Sequence, residues 1–244
     1  MKYVFKIAYK GTRYNGWQRQ PSGTSVQEVF EDTLRRFLGQ KVNFIGCGRT
    51  DAGVHSSGYF GHVVVEKSME EDAVFVLNKM LPDDIAVLSI SEAPFEFHAQ
   101  HDAVSRTYEY FLHTAINPFK AETSFFYEKK MDLPLLNELS KAISSAPDFK
   151  AFCKKPEKAA GFVCKIVEVK WEQIEAHSYR FTITANRFLR GMVRLLVGAM
   201  LAVNEGKMEK QEFLNALLNG ELPKFQHEAF PQGLYLADVK YQQQ

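Results

Sequence analysis

The chain has 244 residues, 45% of them hydrophobic and 24% charged, with 15 Gly and 9 Pro, a composition that excludes a disordered chain, a collagen-like fibre and a membrane-embedded body. Thirty Lys and Arg against 29 Asp and Glu leave a net charge of +1, so any basic surface must come from placement and not from bulk charge. Three cysteines, Cys47, Cys153 and Cys164, form no CxxC pair and no metal-ligand spacing; they argue against a disulfide framework and for a reduced, cytoplasmic protein.

At the N-terminus Tyr3, Phe5, Ile7 and Tyr9 alternate with Val4, Lys6 and Ala8, the period of a strand and not of a signal peptide. Lys10 to Gly23 is a loop rich in Gly, Arg and aromatic residues. Thr24 with Gln27 forms a capping box ahead of Val26, Val29, Phe30, Leu34, Phe37 and Leu38, an amphipathic helix. A short strand, Val42 to Ile45, runs into Gly46-Cys47-Gly48-Arg49-Thr50-Asp51-Ala52-Gly53-Val54-His55-Ser56-Ser57-Gly58. Tyr59 to Val65 reads as a strand, Glu70 to Lys79 as a helix, Pro82-Asp83-Asp84 as a turn and Ile85 to Ile90 as a strand. The first ninety residues therefore read β-α-β-β-α-β.

The second half loosely repeats this alternation. Arg106 to Leu112 is an alternating strand, and Asp132 caps a helix through Ser145. Phe149 to Ala160 is a mobile lysine-bearing loop, and Val163 to Ile174 with Tyr179 to Ala185 makes a hairpin. A helix from Arg187 to about Val203, a second from Glu209 to Leu218, and a last strand from Leu234 to Val239 complete the chain. The apolar stretch of the first of these helices, Met192 to Val203, is interrupted by Arg194 and falls short of the ~20 residues that span a bilayer. Strands with polar residues at alternate positions predict an α+β layer design, a mostly antiparallel or mixed sheet with helices gathered on one side.

Three features carry candidate chemistry. The segment from Gly46 to Gly58 surrounds one carboxylate, one guanidinium and one imidazole with glycines, which let the backbone approach a ligand closely, and Arg49 two residues from Asp51 favours the ionised carboxylate; a long turn with an Asx cap and a surface ion pair has the same composition. Arg187, Arg190 and Arg194 fall at i, i+3 and i+7, one helical stripe. Because the rest of that helix is apolar nearly all round, Arg194 in particular calls for an anion, and Asp51 is a natural partner; a solvated basic edge remains the other reading for Arg187 and Arg190. In Arg106-Thr107-Tyr108-Glu109-Tyr110 a strand sets Arg106, Tyr108 and Tyr110 on one face, an arrangement that stacks a splayed nucleobase or simply packs on a helix. Lys10, Arg13, Arg19, Lys150, Lys154, Lys155 and Lys158 lie in loops with Tyr14, Trp17 and Phe152, which suits phosphate and base contact as well as plain solvation.

Collinear blocks from residue 3 to residue 241 resemble the tRNA pseudouridine synthase A family: Tyr14-Asn15-Gly16-Trp17-Gln18-Arg19-Gln20, TSVQE, GRTDAGVH, LPDDIAV, FHA, RxYxY, Asp148-Phe149-x-x-Phe152, the MVR helix and GLYL. The resemblance implies a cytoplasmic homodimer, free of cofactor and metal, that isomerises uridine to pseudouridine in the anticodon stem-loop of tRNA at positions thirty-eight to forty. It implies two ferredoxin-like (RRM-like) halves, 1–104 and 105–244, sharing a central sheet with the active-site cleft between them. Carried over by motif, Asp51 is the catalytic carboxylate, Arg49 helps to displace the target base, Tyr108 stacks on the uracil and takes the C5 proton, Arg194 pairs with Asp51, and Leu234 packs beneath the base. Lys10, Arg13, Arg19, Lys154, Lys155, Arg187 and Arg190 are the candidate tRNA contacts. The chain departs from the usual pattern at Tyr59, where Gln is usual, at Phe60-Gly61-His62, at Phe188-Leu189-Arg190-Gly191 and at Gln100 and His101. His55 reads as a hydrogen-bonding scaffold.

Two other functions fit parts of the pattern. A tRNA-binding or folding module without catalysis would not need Asp51, Tyr108 and Arg194 together. A hydrolase of N-glycosidic bonds would need a second carboxylate to activate water, and Glu109, the nearest in sequence to Tyr108, is expected on the opposite strand face.

Overall fold

The computed structural model describes residues 1–224 and 227–242. Its elements are β1 (Lys2–Tyr9), α1 (Val26–Leu38), β2 (Ile45–Gly46), β3 (His55–Val64), α2 (Ala73–Met80), β4 (Ile85–Glu92), β5 (Ala103–His113), β6 (Phe125–Phe126), α3 (Leu133–Ser144), β7 (Ile166–Glu175), β8 (Ser178–Ala185), α4 (Met192–Asn204), α5 (Lys210–Asn219) and β9 (Leu234–Tyr241). The expected α+β class is what the chain adopts, with mixed, mostly antiparallel pairing and five α-helices among the described residues. The chain divides into two compact units, one of residues 1–104 with the C-terminal segment from Tyr235, the other Ser105–Leu234.

In the first unit the alternation of β1 is expressed as burial: Tyr3, Phe5, Ile7 and Tyr9 are buried while Lys2, Val4, Lys6 and Ala8 are part-exposed. β1 pairs antiparallel with β3 on one side and β4 on the other. β2 pairs with the distal end of β3, through Ile45 opposite His62. β9 lies parallel to the start of β3, with Tyr235 opposite His55. α1 covers the apolar face because Val26, Phe30 and Leu34 recur every four residues and are buried; the Phe30 ring meets Phe5 edge-on at 5.8 Å and Phe44 at 4.8 Å. Each such fully buried ring contributes about 2–3 kcal/mol.

The helix cap lies one residue further on than expected. Ser25, not Thr24, is the N-cap of α1, and its hydroxyl accepts from the Glu28 backbone N–H at 3.2 Å. Both Thr24-x-x-Gln27 and Ser25-x-x-Glu28 satisfy the capping-box pattern, and the packing of Val26 and Phe30 decides the register. Gln27 instead turns back to the loop before the helix, where its Oε1 accepts from the Arg19 N–H at 3.0 Å.

In the second unit β8 is flanked by β5 and β7, both antiparallel to it, and β6, a short strand absent from the sequence expectation, pairs parallel with β5. The cap Asp132 and the extent of α3 follow the sequence, with the Asp132 carboxylate accepting from the Leu135 N–H. α4 is the core of this unit: ten of its thirteen residues are buried, as its all-round apolar character requires. The loop expected to be mobile is core in its first half, since Phe149 and Phe152 are fully buried and the Phe149 N–H donates to Phe162 O. Lys154, Lys155 and Lys158, which follow, are exposed.

Candidate active site

The glycine-rich segment is an ordered loop between β2 and β3, not an open turn. Its carbonyls and hydroxyls are held from several sides. Tyr59 Oη donates to Gly48 O at 2.5 Å, Tyr9 Oη and Thr50 Oγ1 share a hydrogen bond of 2.9 Å, and the Trp17 N–H donates to Thr50 O at 3.2 Å. The Gly53 N–H donates to Tyr14 O, and the Val54 N–H closes a tight turn onto Asp51 O at 3.1 Å. Between these ties Arg49 is exposed and Asp51 half-buried. A carboxylate on a backbone fixed at both flanks is a preorganised anion, able to act as nucleophile, as base or as a countercharge to a developing cation.

His55 supports the same segment as a scaffold. It is fully buried, its Nδ1 accepts from the Gly11 N–H at 2.9 Å, and its ring lies 4.6 Å from that of Tyr235. It thereby ties the Lys10–Gly23 loop to the first turn of β3. Asp84, from the turn before β4, holds the same end of that loop: Arg13 Nε donates to its Oδ2 at 2.8 Å and Tyr14 Oη to its Oδ1 at 2.6 Å. Burial, reinforced by that carboxylate, pushes the Tyr14 phenol well above its ordinary range. Sequence reading passed over Asp84, whose signal was its place in LPDDIAV, a block outside the glycine loop.

Tyr108, Arg194 and Leu234 belong to the second unit. Tyr108 sits opposite Ile183 in the β5–β8 pairing, and Phe188 meets its ring edge-on at 5.0 Å. This edge-on contact of Phe188 restricts the tilt of the Tyr108 face. Two residues along, Tyr110 is fully buried and donates to Phe230 O at 3.0 Å; burial raises its phenol far above the usual range. Glu109 turns to the opposite face, where Arg180 holds it at 3.1 Å. Leu234 is buried at the start of β9.

The arginine stripe is not a stripe. α4 begins at Met192, and its cap, Gly191, has φ 69°, a left-handed conformation that ends right-handed helix on that side and that L-residues with a Cβ adopt at a cost. Arg187 and Arg190 therefore lie, exposed, on the irregular segment and turn before the helix, and only Arg194 is helical. Arg194 is largely buried and has partners within its own unit: its Nη1 is 3.0 Å from Glu228 Oε2 and its Nε donates to Ala229 O at 2.7 Å. Lys154 reaches the same carboxylate at 2.6 Å. Glu228, missed by sequence reading, is the hub of this cluster; it lies 34 residues beyond Arg194 in no periodic pattern, so no local signal marked it.

The candidate tRNA contacts thus fall into two kinds. Arg13 is paired with Asp84, Arg19 with Glu28, Glu31 and Asp32 at 3.5–3.9 Å, and Lys154 with Glu228. The Lys10 backbone N–H donates to Asp84 O, which fixes where that loop begins. Lys155, Arg187 and Arg190 are exposed. Nearby, Cys164 is buried, which pushes its thiol up to about 11 and suits a structural role. Among the described residues no three His, Cys, Asp or Glu side chains gather in a way that could hold a metal ion, and no helix is long and apolar enough to cross a membrane.

A family model described as tRNA pseudouridine synthase matches residues 6–102 and 146–242, two segments that between them carry the glycine-rich loop, the MVR helix and GLYL. Among curated relatives, tRNA pseudouridine synthase A of Bacteroides fragilis is 36% identical over 245 residues, covering 100% of this chain and 97% of that protein. The proteins of the same name from Porphyromonas gingivalis and Chlorobium luteolum are 34% and 36% identical, covering 98% and 97% of this chain and 97% and 94% of their own lengths.

Proposed function

The chain belongs to the tRNA pseudouridine synthase A family, and we propose on that premise how its own residues isomerise uridine to pseudouridine in the anticodon stem-loop of tRNA. Substrate and product are isomers, so no oxidant, reductant or second substrate enters. The bond from C1' to N1 breaks, the uracil turns while held, C5 bonds to C1', and the proton on C5 leaves as N1 gains one.

Each demand has a matching group. The sugar carbon becomes electron-poor as N1 departs, and Asp51 is the anion assigned to it, whether as a covalent nucleophile or by taking a neighbouring proton. The detached ring needs a flat face that lets it turn without escaping; Tyr108, braced by Phe188, supplies one and Leu234 the apolar floor. Tyr108 Oη takes the C5 proton in this reading. Arg194, held by Glu228, is the cation assigned to Asp51 in this reading, and Arg49, exposed two residues before Asp51, is assigned to help displace the target base. Taking the nucleotide out of its stack costs a few kcal/mol, which phosphate contacts by Arg187, Arg190 and Lys155 offset. The ferredoxin-like reading of each half and the homodimer belong to the same proposal; in the first unit the order β4-β1-β3, with β2 paired to β3 alongside β9, supports the former.

The observation that carries these roles is the loop from Gly48 to Val54, which fixes the backbone of one carboxylate from both sides. A hydrolase is disfavoured because Glu109, the carboxylate beside Tyr108 in sequence, is held by Arg180 on the opposite strand face. Position-by-position mapping of pseudouridine in tRNA incubated with the purified protein tests the proposal. Pseudouridine at positions thirty-eight to forty is expected; free uracil in the supernatant, or unchanged RNA, contradicts it. Tyr108→Phe is expected to keep binding and lose most of the rate, and Tyr108→Leu to lose both.

A further inference from the structure

We propose that Tyr9, Trp17 and Tyr59 form a positioning platform for the aspartate loop, with the two tyrosine hydroxyls as its contact points. The proposal rests on the reading of Asp51 as the reactive carboxylate and adds residues that the motif itself does not contain.

The three rings come from three separate segments: the end of β1, the loop that follows it, and β3. All three are buried. Trp17 and Tyr59 stack with centroids 3.8 Å apart and planes 25° from parallel, and Tyr9 leans on both at 6.0 and 5.7 Å. From this stack Tyr59 Oη reaches Gly48 O and Tyr9 Oη reaches Thr50 Oγ1. Gly48 and Thr50 are the two neighbours of Arg49, and Thr50 precedes Asp51. The backbone N–H of Trp17 adds a third tie, to Thr50 O. Arg49 is thus held up between two anchored residues while its own side chain stays exposed.

The chemistry of the contacts explains why tyrosine and not phenylalanine occupies both places. A buried phenol must find a hydrogen-bond partner, and a ring with two rotatable bonds loses little freedom in giving one, so each hydroxyl acts as a stiff strut from the sheet to the loop. The fit is close enough to dictate sequence on the approach to the loop: a Cβ on Gly46 would lie 2.0 Å from Tyr59 Oη and 2.9 Å from Trp17 Nε1. Tyr59, where the family usually has Gln, is therefore part of the support beneath the loop. Such struts matter to rate because a reacting group misplaced by about 1 Å can cost about a hundredfold.

The test removes hydroxyls and keeps rings. Tyr59→Phe and Tyr9→Phe are each expected to lower kcat about tenfold with KM for tRNA within about twofold of wild type, and amide exchange over residues 48–54 is expected to quicken in both. The control is Tyr241→Phe, which removes a comparable hydroxyl bond in the same unit, Tyr241 Oη to Ala99 O at 2.8 Å, far along the chain from the loop; it should lose similar thermal stability with kcat unchanged. If Tyr59→Phe and Tyr9→Phe match Tyr241→Phe in kcat, or leave exchange at residues 48–54 unaltered, or act on KM alone, the platform is only core packing and the proposal is overturned. The underlying reading fails separately: Asp51→Asn with near wild-type turnover removes the role of the carboxylate whatever the exchange shows.

Discussion

The aspartate loop and the arginine segment from Asn186 to Arg194 both carry charge at the end of a strand, and they are built in opposite ways. Around Asp51 the loop is tied at several points: two phenols reach Gly48 O and the Thr50 hydroxyl, the Trp17 backbone N–H reaches Thr50 O, and a turn closes from Val54 onto Asp51 O. Around Arg187 and Arg190 the chain is irregular and both residues are exposed, until Gly191 turns it into α4 and Arg194 is drawn onto Glu228. The difference matches the two tasks. The bond breaking and remaking proposed for the first demands a fixed geometry, whereas the phosphate contact proposed for the second demands only that positive charge arrive, which exposed arginines supply.

The largest expected effect falls on the rigid region. Asp51→Asn keeps shape and removes the charge and basicity, so kcat should drop by roughly a thousandfold or more while tRNA affinity, measured by filter binding, stays within about threefold. Turnover within tenfold of wild type would mean that the rigid loop is not where the chemistry happens.

Next comes the junction between the two styles of construction. Glu228→Ala leaves Arg194 and Lys154 without the carboxylate they share and should destabilise the protein by about 1–3 kcal/mol, read as a lower urea midpoint at constant slope. An unchanged midpoint would make this cluster ornamental. Gly191→Ala sharpens the comparison through its sign. With φ at 69° an alanine is strained by about 1–2 kcal/mol and the midpoint falls; had the helix run on from Arg187, the same change would stabilise by about 0.5–1 kcal/mol.

That sign also marks where the sequence was legible and where it was not. The order of strands and helices in the first unit, the Asp132 cap and the buried α4 all followed from periodicity, because each depends on residues within one turn or one strand. The arginine stripe failed since spacing alone cannot show that Gly191 takes a left-handed conformation, and the cap of α1 moved from Thr24 to Ser25 because two capping boxes overlap. β6, two residues long, has no periodicity to detect. In the site, GRTDAGVH identified the loop, but its supports did not follow from the motif: Tyr9 and Tyr59 looked like strand residues, and Glu228 is tied to Arg194 only through the fold.

The smallest effects should come from the exposed region, and they should appear in salt dependence and not in rate. Arg187→Ala and Arg190→Ala are each expected to weaken tRNA binding and to flatten the plot of log affinity against log salt by about 0.7–0.9. Arg13→Ala and Arg19→Ala, whose side chains already face carboxylates, should change the slope less. Equal slopes for all four would erase the distinction between the arginines that face carboxylates and Arg187 and Arg190.

The division of labour is tested most directly by single-turnover pseudouridine formation with enzyme in saturating excess over tRNA, comparing Asp51→Asn with the double variant Arg187→Ala, Arg190→Ala. Saturation removes the contribution of binding, so the double variant is predicted to react at close to the wild-type rate while Asp51→Asn forms no detectable product. A double variant that stays slow at saturation, or an Asp51→Asn enzyme that converts its bound tRNA, would contradict the assignment of chemistry to the rigid loop and of RNA capture to the exposed arginines.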